Sequence, residues 1–255
     1  MTIKPPHDTV DFYQGLAEHY DSMTRFAERL QSETERLAIW RQKLACHSVV
    51  DVGCGTGLHS IALAKLGLQV TAIDPELAML KVAAENAATY GVTLRLLAGT
   101  MQNLHRHLTA KQDALFCLGN TLPHLLTDRS LYAGLRSAHK VLRPGGALVI
   151  QLLNYQRILA QQERIVQINR TDETEWIRFY DFLDGRIRFN VLMIQGSCAP
   201  FHHRLFSTLL RPYQRKELHS TLQACGFAKI AYYANLEEAP YQRFSPNLVI
   251  CAFKM

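Results

Sequence analysis

Along the chain, short β-branched apolar runs alternate with longer stretches in which apolar residues recur every three or four positions, the pattern of strands feeding helices. Val49-Val50-Asp51-Val52 reads as a strand that enters the turn Gly53-Cys54-Gly55-Thr56-Gly57 and then an Ala/Leu-rich helix, Leu58 to Leu66. Gln69 to Ile73 is a second strand, ending at Asp74. Pro75 suits a helix entry and Gly91 an exit, which predicts a helix over Leu77 to Tyr90. Thr93 to Ala98, Asp113 to Cys117 and Ala147 to Leu153 follow as strands, with a helix over Leu131 to Leu142 and a turn at Arg143-Pro144-Gly145-Gly146. Strands separated by helices imply a parallel sheet.

Both ends depart from this rhythm. Met1 to Val10 is polar, contains Pro5-Pro6 and reads as a loose arm. Thr9 to Arg41 carries a helical apolar stripe through Phe12, Leu16, Tyr20, Phe26, Leu30, Leu37 and Trp40. Beyond Tyr155 the period changes to two. Trp176, Arg178 and Tyr180 alternate with Ile177, Phe179 and Asp181, Asp184-Gly185 is a hairpin turn, and Arg186 to Val191 and His203 to Leu210 read as further strands. Glu163 to Leu210 is therefore predicted as an antiparallel insertion of two or three strands over the carboxyl ends of the main sheet, where open α/β sheets bind ligands. Gln214 to Ala224 (helix), Lys229 to Ala234 and Leu248 to Lys254 (strands) return to type.

A strand, a glycine turn and a helix form the first half of a nucleotide-binding βαβ unit. Glycines turn the backbone sharply and admit a ligand close to it, while the helix start offers N–H donors suited to an anion. Asp74, at the tip of the second strand, can accept both ribose hydroxyls of an adenosine. The spacing Gly53-x-Gly55-x-Gly57 places the third glycine one position early for a dinucleotide fingerprint.

Composition narrows the picture. The 255 residues suit one domain, or one domain with an insertion, and at 48% hydrophobic they can bury a sizeable core. No apolar run approaches a membrane span, and no signal peptide is read. Cys46, Cys54, Cys117, Cys198, Cys225 and Cys251 are scattered without C-x-x-C spacing, the usage of reduced thiols, so a cytoplasmic location is expected. A net charge of +6 leans towards anionic partners. His105-x-His107 and His202-His203 lack carboxylate or cysteine partners at ligand spacing, so no metal is expected.

The Asp51-x-Gly53-x-Gly55-x-Gly57 turn together with Asp74 resembles motif I and the ribose-binding acid of class I S-adenosylmethionine-dependent methyltransferases, and Leu-Arg-Pro-Gly-Gly before a strand is frequent in them. The resemblance implies an α/β Rossmann-like sheet with helices on both faces and an antiparallel β insertion after the fifth strand. Residues 1–42 would be an N-terminal helical lid and 43–255 the methyltransferase domain, with 156–212 as a substrate-side β insertion. S-adenosylmethionine would be the cofactor and S-adenosylhomocysteine the product. By position, the resemblance assigns Gly53, Gly55, Gly57, Asp74, Pro75, Thr100, Met101 and Leu118 to cofactor binding. Tyr20 is a lid candidate or a core tyrosine, and Arg41 a partner for the methionine carboxylate or an exposed helix charge.

Cys117-Leu118-Gly119-Asn120-Thr121-Leu122-Pro123-His124-Leu125 and Leu153-Asn154-Tyr155 narrow the resemblance to the glycine/sarcosine N-methyltransferase-like group, from about Arg41 onward. It implies a small-molecule acceptor, an amine or amino-acid-like compound, bound by Asn120 and His124, with Tyr155 and Arg211 in the same pocket. The group places an arginine, a bidentate fork for the glycine carboxylate, where this chain has Leu153. The expected acceptor is therefore not glycine itself, and Arg204 or Arg211 is a candidate to hold an acid. From Arg157 to Lys216, ten Lys/Arg face six Asp/Glu, which suits an anionic acceptor or simply a solvated hairpin. His124 is either a base for an amine proton or a positioning donor. The competing readings are an RNA methyltransferase and a non-catalytic S-adenosylmethionine-binding protein. No base-holding Pro-Pro-Tyr loop, Pro-Cys nucleophile or RNA-binding module is read, so nucleic acid is not an expected partner. A homo-oligomer stays open.

Overall fold

The computed structural model describes residues 9–171, 174–196 and 202–255. Residues 1–8 of the predicted loose arm, and Cys198, lie outside them; the arm's last two residues, Thr9 and Val10, instead begin a helix, Thr9–Thr24.

The strands of the main sheet are β1 (Ser48–Val52), β2 (Gln69–Asp74), β3 (Arg95–Ala98), β4 (Gln112–Cys117) and β5 (Leu142–Leu153). The helices that alternate with them are α3 (Leu58–Lys65), α4 (Leu77–Thr89), the short α5 (Leu104–His107) and α6 (Asp128–Val141), while α1 (Thr9–Thr24) and α2 (Phe26–Leu44) precede β1. After β5 come α7 (Tyr155–Gln161), then β6 (Ile165–Thr171), β7 (Thr174–Leu183), β8 (Arg186–Gln195) and β9 (His202–Leu210). The chain closes with α8 (Arg215–Ala224), β10 (Phe227–Tyr233) and β11 (Asn247–Lys254).

Seven strands form one sheet in the order β10-β11-β5-β4-β1-β2-β3. β1 to β5 pair in parallel, and β11 runs antiparallel to both β5 and β10. Alternate residues of the central strands supply two cores. Val50, Val52, Leu115, Cys117, Leu148 and Ile150 pack on one face with α6 and α8; Val49, Ala114, Phe116, Ala147 and Val149 pack on the other with α2 and α3. This is why the central strands read as continuous apolar runs. The five described cysteines, Cys46, Cys54, Cys117, Cys225 and Cys251, are buried and unpaired.

A separate antiparallel sheet, β6-β7-β8-β9, follows β5. It has four strands where the sequence predicts two or three. The missed strand, β6, is a mostly exposed edge whose burial follows no period-two alternation. One face of this sheet is covered by α1: Phe12, Leu16 and Met23 pack on Trp176, Val191, Met193 and Phe206. Gly15 permits that approach, because a Cβ there would lie 2.8 Å from the Phe206 ring.

The single helical stretch predicted over Thr9 to Arg41 is two helices. Arg25 adopts φ 58° and breaks it, with no glycine or proline to mark the position. Arg143 to Gly146 lies within β5, where the register with β4 slips between Gln112 and Ala114, although the sequence predicts a turn there. No helix among the described residues is long and apolar enough to cross a membrane.

Candidate active site

The carboxyl ends of β1, β2, β4 and β5 open into a cavity of about 710 Å³, walled on its far side by α1, α2 and the second sheet. Gly53, Gly55, Asp74, Pro75, Leu118, Asn120, His124 and Tyr20, all singled out in the sequence, line it.

The glycine turn is bolted down by its own backbone. Gly53 N–H and Cys54 N–H donate to Ile73 O at 2.7 and 3.2 Å, and Gly57 N–H donates to Cys54 O at 2.9 Å. Gly55 N–H donates to Asp74 Oδ2 at 2.8 Å. Four of the donors expected to face an anion are therefore spent inside the chain, so the turn offers shape and carbonyl oxygens instead. Gly53 has φ 71°, and a Cβ there would lie 2.2 Å from Thr121 Cγ2; Gly55 has φ 54°, and a Cβ would meet nothing within 4 Å, so this glycine fronts open space.

Asp74 is buried and takes two backbone donors, Gly55 N–H and, at 2.9 Å on Oδ1, Glu76 N–H. A carboxylate has about four acceptor positions, so roughly two remain for a ligand. Burial raises its carboxyl pKa, against the lowering effect of those two donors. Asp51, two positions before Gly53 in β1, accepts from Ser60 Oγ at 2.6 Å and anchors α3 rather than facing the cavity. Burial pushes its carboxyl up to about 7. A carboxyl whose folded pKa exceeds its unfolded value contributes stability that is lost as pH rises from about 4 to 7. Relative to Asp51→Asn, the wild type is expected to lose on the order of 2 kcal/mol between pH 5 and pH 8 by this group, read from urea unfolding at the two pH values. A pH-independent difference between the two proteins would contradict it.

Asn120 follows Gly119 in a pair of left-handed residues, φ 67° and 68°. Its Oδ1 accepts from Leu153 N–H at 3.0 Å, and the Tyr155 hydroxyl lies 3.0 Å from its Nδ2. Both ends of the amide are thus engaged by β5 and its continuation. Strain of this kind at a cavity wall is tolerated when the surroundings over-determine it. Tyr155 stands behind Asn120, is buried and does not line the cavity. His124 Nε2 lies 2.9 Å from the Tyr13 hydroxyl, while its Nδ1 is buried with no partner. Burial pushes the His124 imidazole down to about 4.

Five other residues named from the sequence sit away from the cavity. Arg41 is exposed on α2. Arg29, Glu33 and Arg36 are on the cavity face instead, at the three- and four-residue spacing of one helix side, five residues away from Arg41. Buried Glu33 ties this group together, 3.2 Å from both Arg29 Nη2 and Arg36 Nη1 and 3.7 Å from His59 Nε2. Met101 points into the core beside α6, where Gly134 leaves it room, and Thr100 closes a local cap with Asn103. Arg211 is ion-paired with Asp128 and Glu217 outside the cavity. Gly57 also lies off the cavity, packed towards Ala83. Sequence reasoning missed Tyr13, Arg29, Arg36 and Arg178. The 3.6-residue spacing from Arg29 to Glu33 to Arg36 was the available signal for the α2 pair.

Residues 49–146 match the family model described as a methyltransferase domain. The chain carries a methyltransferase domain. Over 250 residues it is 28% identical to the glycine/sarcosine N-methyltransferase of Aphanothece halophytica, covering 96% of this chain and 89% of that one. A solved S-adenosylmethionine-dependent methyltransferase from Clostridium acetobutylicum superposes with a TM-score of 0.80 at 15% identity, over 95% of this chain and 98% of that one. The sugar N-methyltransferase from Streptoalloteichus superposes at 0.72 with 17% identity, over 100% and 98%. The seven-stranded sheet is thus the Rossmann-like sheet of the solved S-adenosylmethionine-dependent methyltransferase it superposes on.

Proposed function

We propose that this methyltransferase transfers a methyl group from S-adenosylmethionine to the nitrogen of a small amine or amino-acid-like acceptor other than glycine. One observation carries the reading: a single cavity joins the glycine turn and Asp74 at one end to Asn120, His124 and an aromatic wall at the other. The residues present fit the cofactor. Asp74 has acceptor capacity left for the two ribose hydroxyls, Gly55 leaves room at the turn, and the Arg29/Arg36 pair supplies cations for the methionine carboxylate. Leu118 and Pro75 line the same end. Bound there, S-adenosylmethionine supplies an electrophilic methyl on its sulfonium.

The protein's part is alignment and exclusion of water. Asn120 is locked by Leu153 and Tyr155 and holds the bend at the tip of β4. Tyr13 and Tyr20, 6.2 Å apart between ring centroids, close the cavity from α1, and Tyr13 fixes the His124 ring. A nonpolar Leu153 in the cavity, where the glycine-methylating relatives are expected to carry an arginine, supports an acceptor other than glycine.

With its pKa near 4, His124 is neutral at physiological pH and a weak base, so its role is to position the acceptor. His124→Gln is expected to lower kcat/KM about tenfold, the loss of one hydrogen bond, and to leave the pH profile unchanged in shape. A loss of about 10² to 10⁴ with a vanished acid limb would make it the base instead. The proposed chemistry is tested by incubating the purified chain with labelled S-adenosylmethionine and a panel of primary amines, secondary amines and phenols. Label on amines supports the reading; label on phenols alone overturns it.

A further inference from the structure

On the inward face of β7, Trp176, Arg178 and Tyr180 occupy alternate positions. Trp176 and Tyr180 are buried, so the pattern calls for an apolar residue between them. An arginine stands there instead, and it lines the cavity. Its neighbours on the second sheet do not compensate it. The cross-strand partners of Arg178 are Gln167, which also lines the cavity, and Val191.

The contrast with the other arginines of this sheet is direct. Arg164 pairs with Asp181, Arg170 with Glu175 and Arg188 with Asp181, and Arg186 donates to Leu126 O. Arg204 lies over the Phe206 ring, with its guanidinium carbon 4.9 Å from the ring centroid. Arg178 has no ion-pair or hydrogen-bond partner among the described residues, and its Nε is buried without one. The titratable groups that act on it are Tyr20, Tyr180 and Arg29, with no carboxylate among them. Burial lowers its pKa, the mark of a desolvated guanidinium. The guanidinium is half-buried, with its Nε sealed off and the rest facing the cavity, so its charge is partly desolvated without a counter-ion, a cost that a ligand supplying the missing partner would offset.

The α2 arginines already serve the cofactor end in the reading above: Arg29 and Arg36 flank Glu33, which sits beside His59 of α3. Arg178 enters from the second sheet rather than from α2, next to Tyr20 and Tyr180 and within electrostatic reach of Arg29, and it lines the same cavity as Leu153. We propose that Arg178, assisted by Gln167, is the anion anchor for the methyl acceptor, binding an acceptor carboxylate in place of the arginine absent at Leu153. This rests on the proposed function and sharpens it: the acceptor is an amino acid whose acid group is gripped from the second sheet rather than from β5. The planar fork of arginine suits a carboxylate in two parallel bonds.

The test separates the two levels. Calorimetry with S-adenosylhomocysteine on the full chain reads the cofactor site. Acetate, followed by ¹³C line broadening on the S-adenosylhomocysteine-saturated chain, reads the anion site without needing the true acceptor. Arg178→Gln is expected to weaken acetate binding at least about tenfold while cofactor affinity changes less than about twofold, and Arg178→Lys is expected to recover part of the loss. Acetate binding unchanged in Arg178→Gln, or none to the wild type, overturns the proposal. A parallel fall in cofactor affinity also overturns it, and makes Arg178 a cofactor ligand. Absence of cofactor binding by the wild type defeats the underlying reading instead.

Discussion

Gly53→Ala is expected to destabilise the chain by about 3 kcal/mol or more and to abolish cofactor binding. Two terms add. A non-glycine residue at φ 71° costs about 1–2 kcal/mol, and overpacking a filled site costs about 1–3 kcal/mol. The new Cβ would lie 2.2 Å from Thr121 Cγ2 and 2.6 Å from its Oγ1, so the turn and the β4 tip cannot both keep their places. Thr121 in turn holds that tip by donating to Leu118 O at 2.9 Å. The double variant Gly53→Ala/Thr121→Ala removes the two closest atoms and retains the backbone strain. Urea unfolding should show the pair coupled, with the double variant no less stable than Gly53→Ala alone. Losses that simply add would remove the steric account.

The second large effect is at Asp74. Asp74→Asn is expected to weaken S-adenosylmethionine binding at least about a hundredfold, from two charge-assisted hydrogen bonds at roughly 1.5–3 kcal/mol each. The amide also turns an NH2 towards either Gly55 N–H or Glu76 N–H, both donors, and so loosens the turn. On the proposed reading the ribose hydroxyls donate to the ionised carboxylate of the wild type. Burial raises that pKa, so affinity should fall as the pH is lowered through it, from higher values than an exposed aspartate would show. Calorimetric titration between pH 4 and 8 measures both; an unchanged affinity in Asp74→Asn would take Asp74 out of the site.

Much of this fold was legible because its central strands are buried on both faces and separated by glycine or proline punctuation. Val49 to Val52, Gln69 to Asp74 and Asp113 to Cys117 stand within a residue of where their apolar runs place them. The break at Arg25 was not legible, because tertiary packing of α1 on the second sheet sets it and no glycine or proline signals it. Edge strand β6 escaped for the opposite reason, having no buried face to impose alternation. In the site, the turn and Asp74 could be read because their chemistry is local. Arg41 was named, as a carboxylate partner or an exposed helix charge, and Arg29 and Arg36 were not, because closeness to the glycine turn in sequence does not report which side of α2 faces the cavity. Arg211 resembled a pocket residue by position, yet Asp128, distant in sequence, and Glu217, six residues on, claim its charge. Arg178 stood out only once the faces of β7 were assigned.

The central claim is that this cavity transfers a methyl group from S-adenosylmethionine to a small molecule. The most direct measurement is transfer of labelled methyl by the purified chain into a cell extract, separated into small-molecule, RNA and protein fractions. The account predicts label in the small-molecule fraction, lost with Asp74→Asn. Label confined to RNA or protein would contradict it.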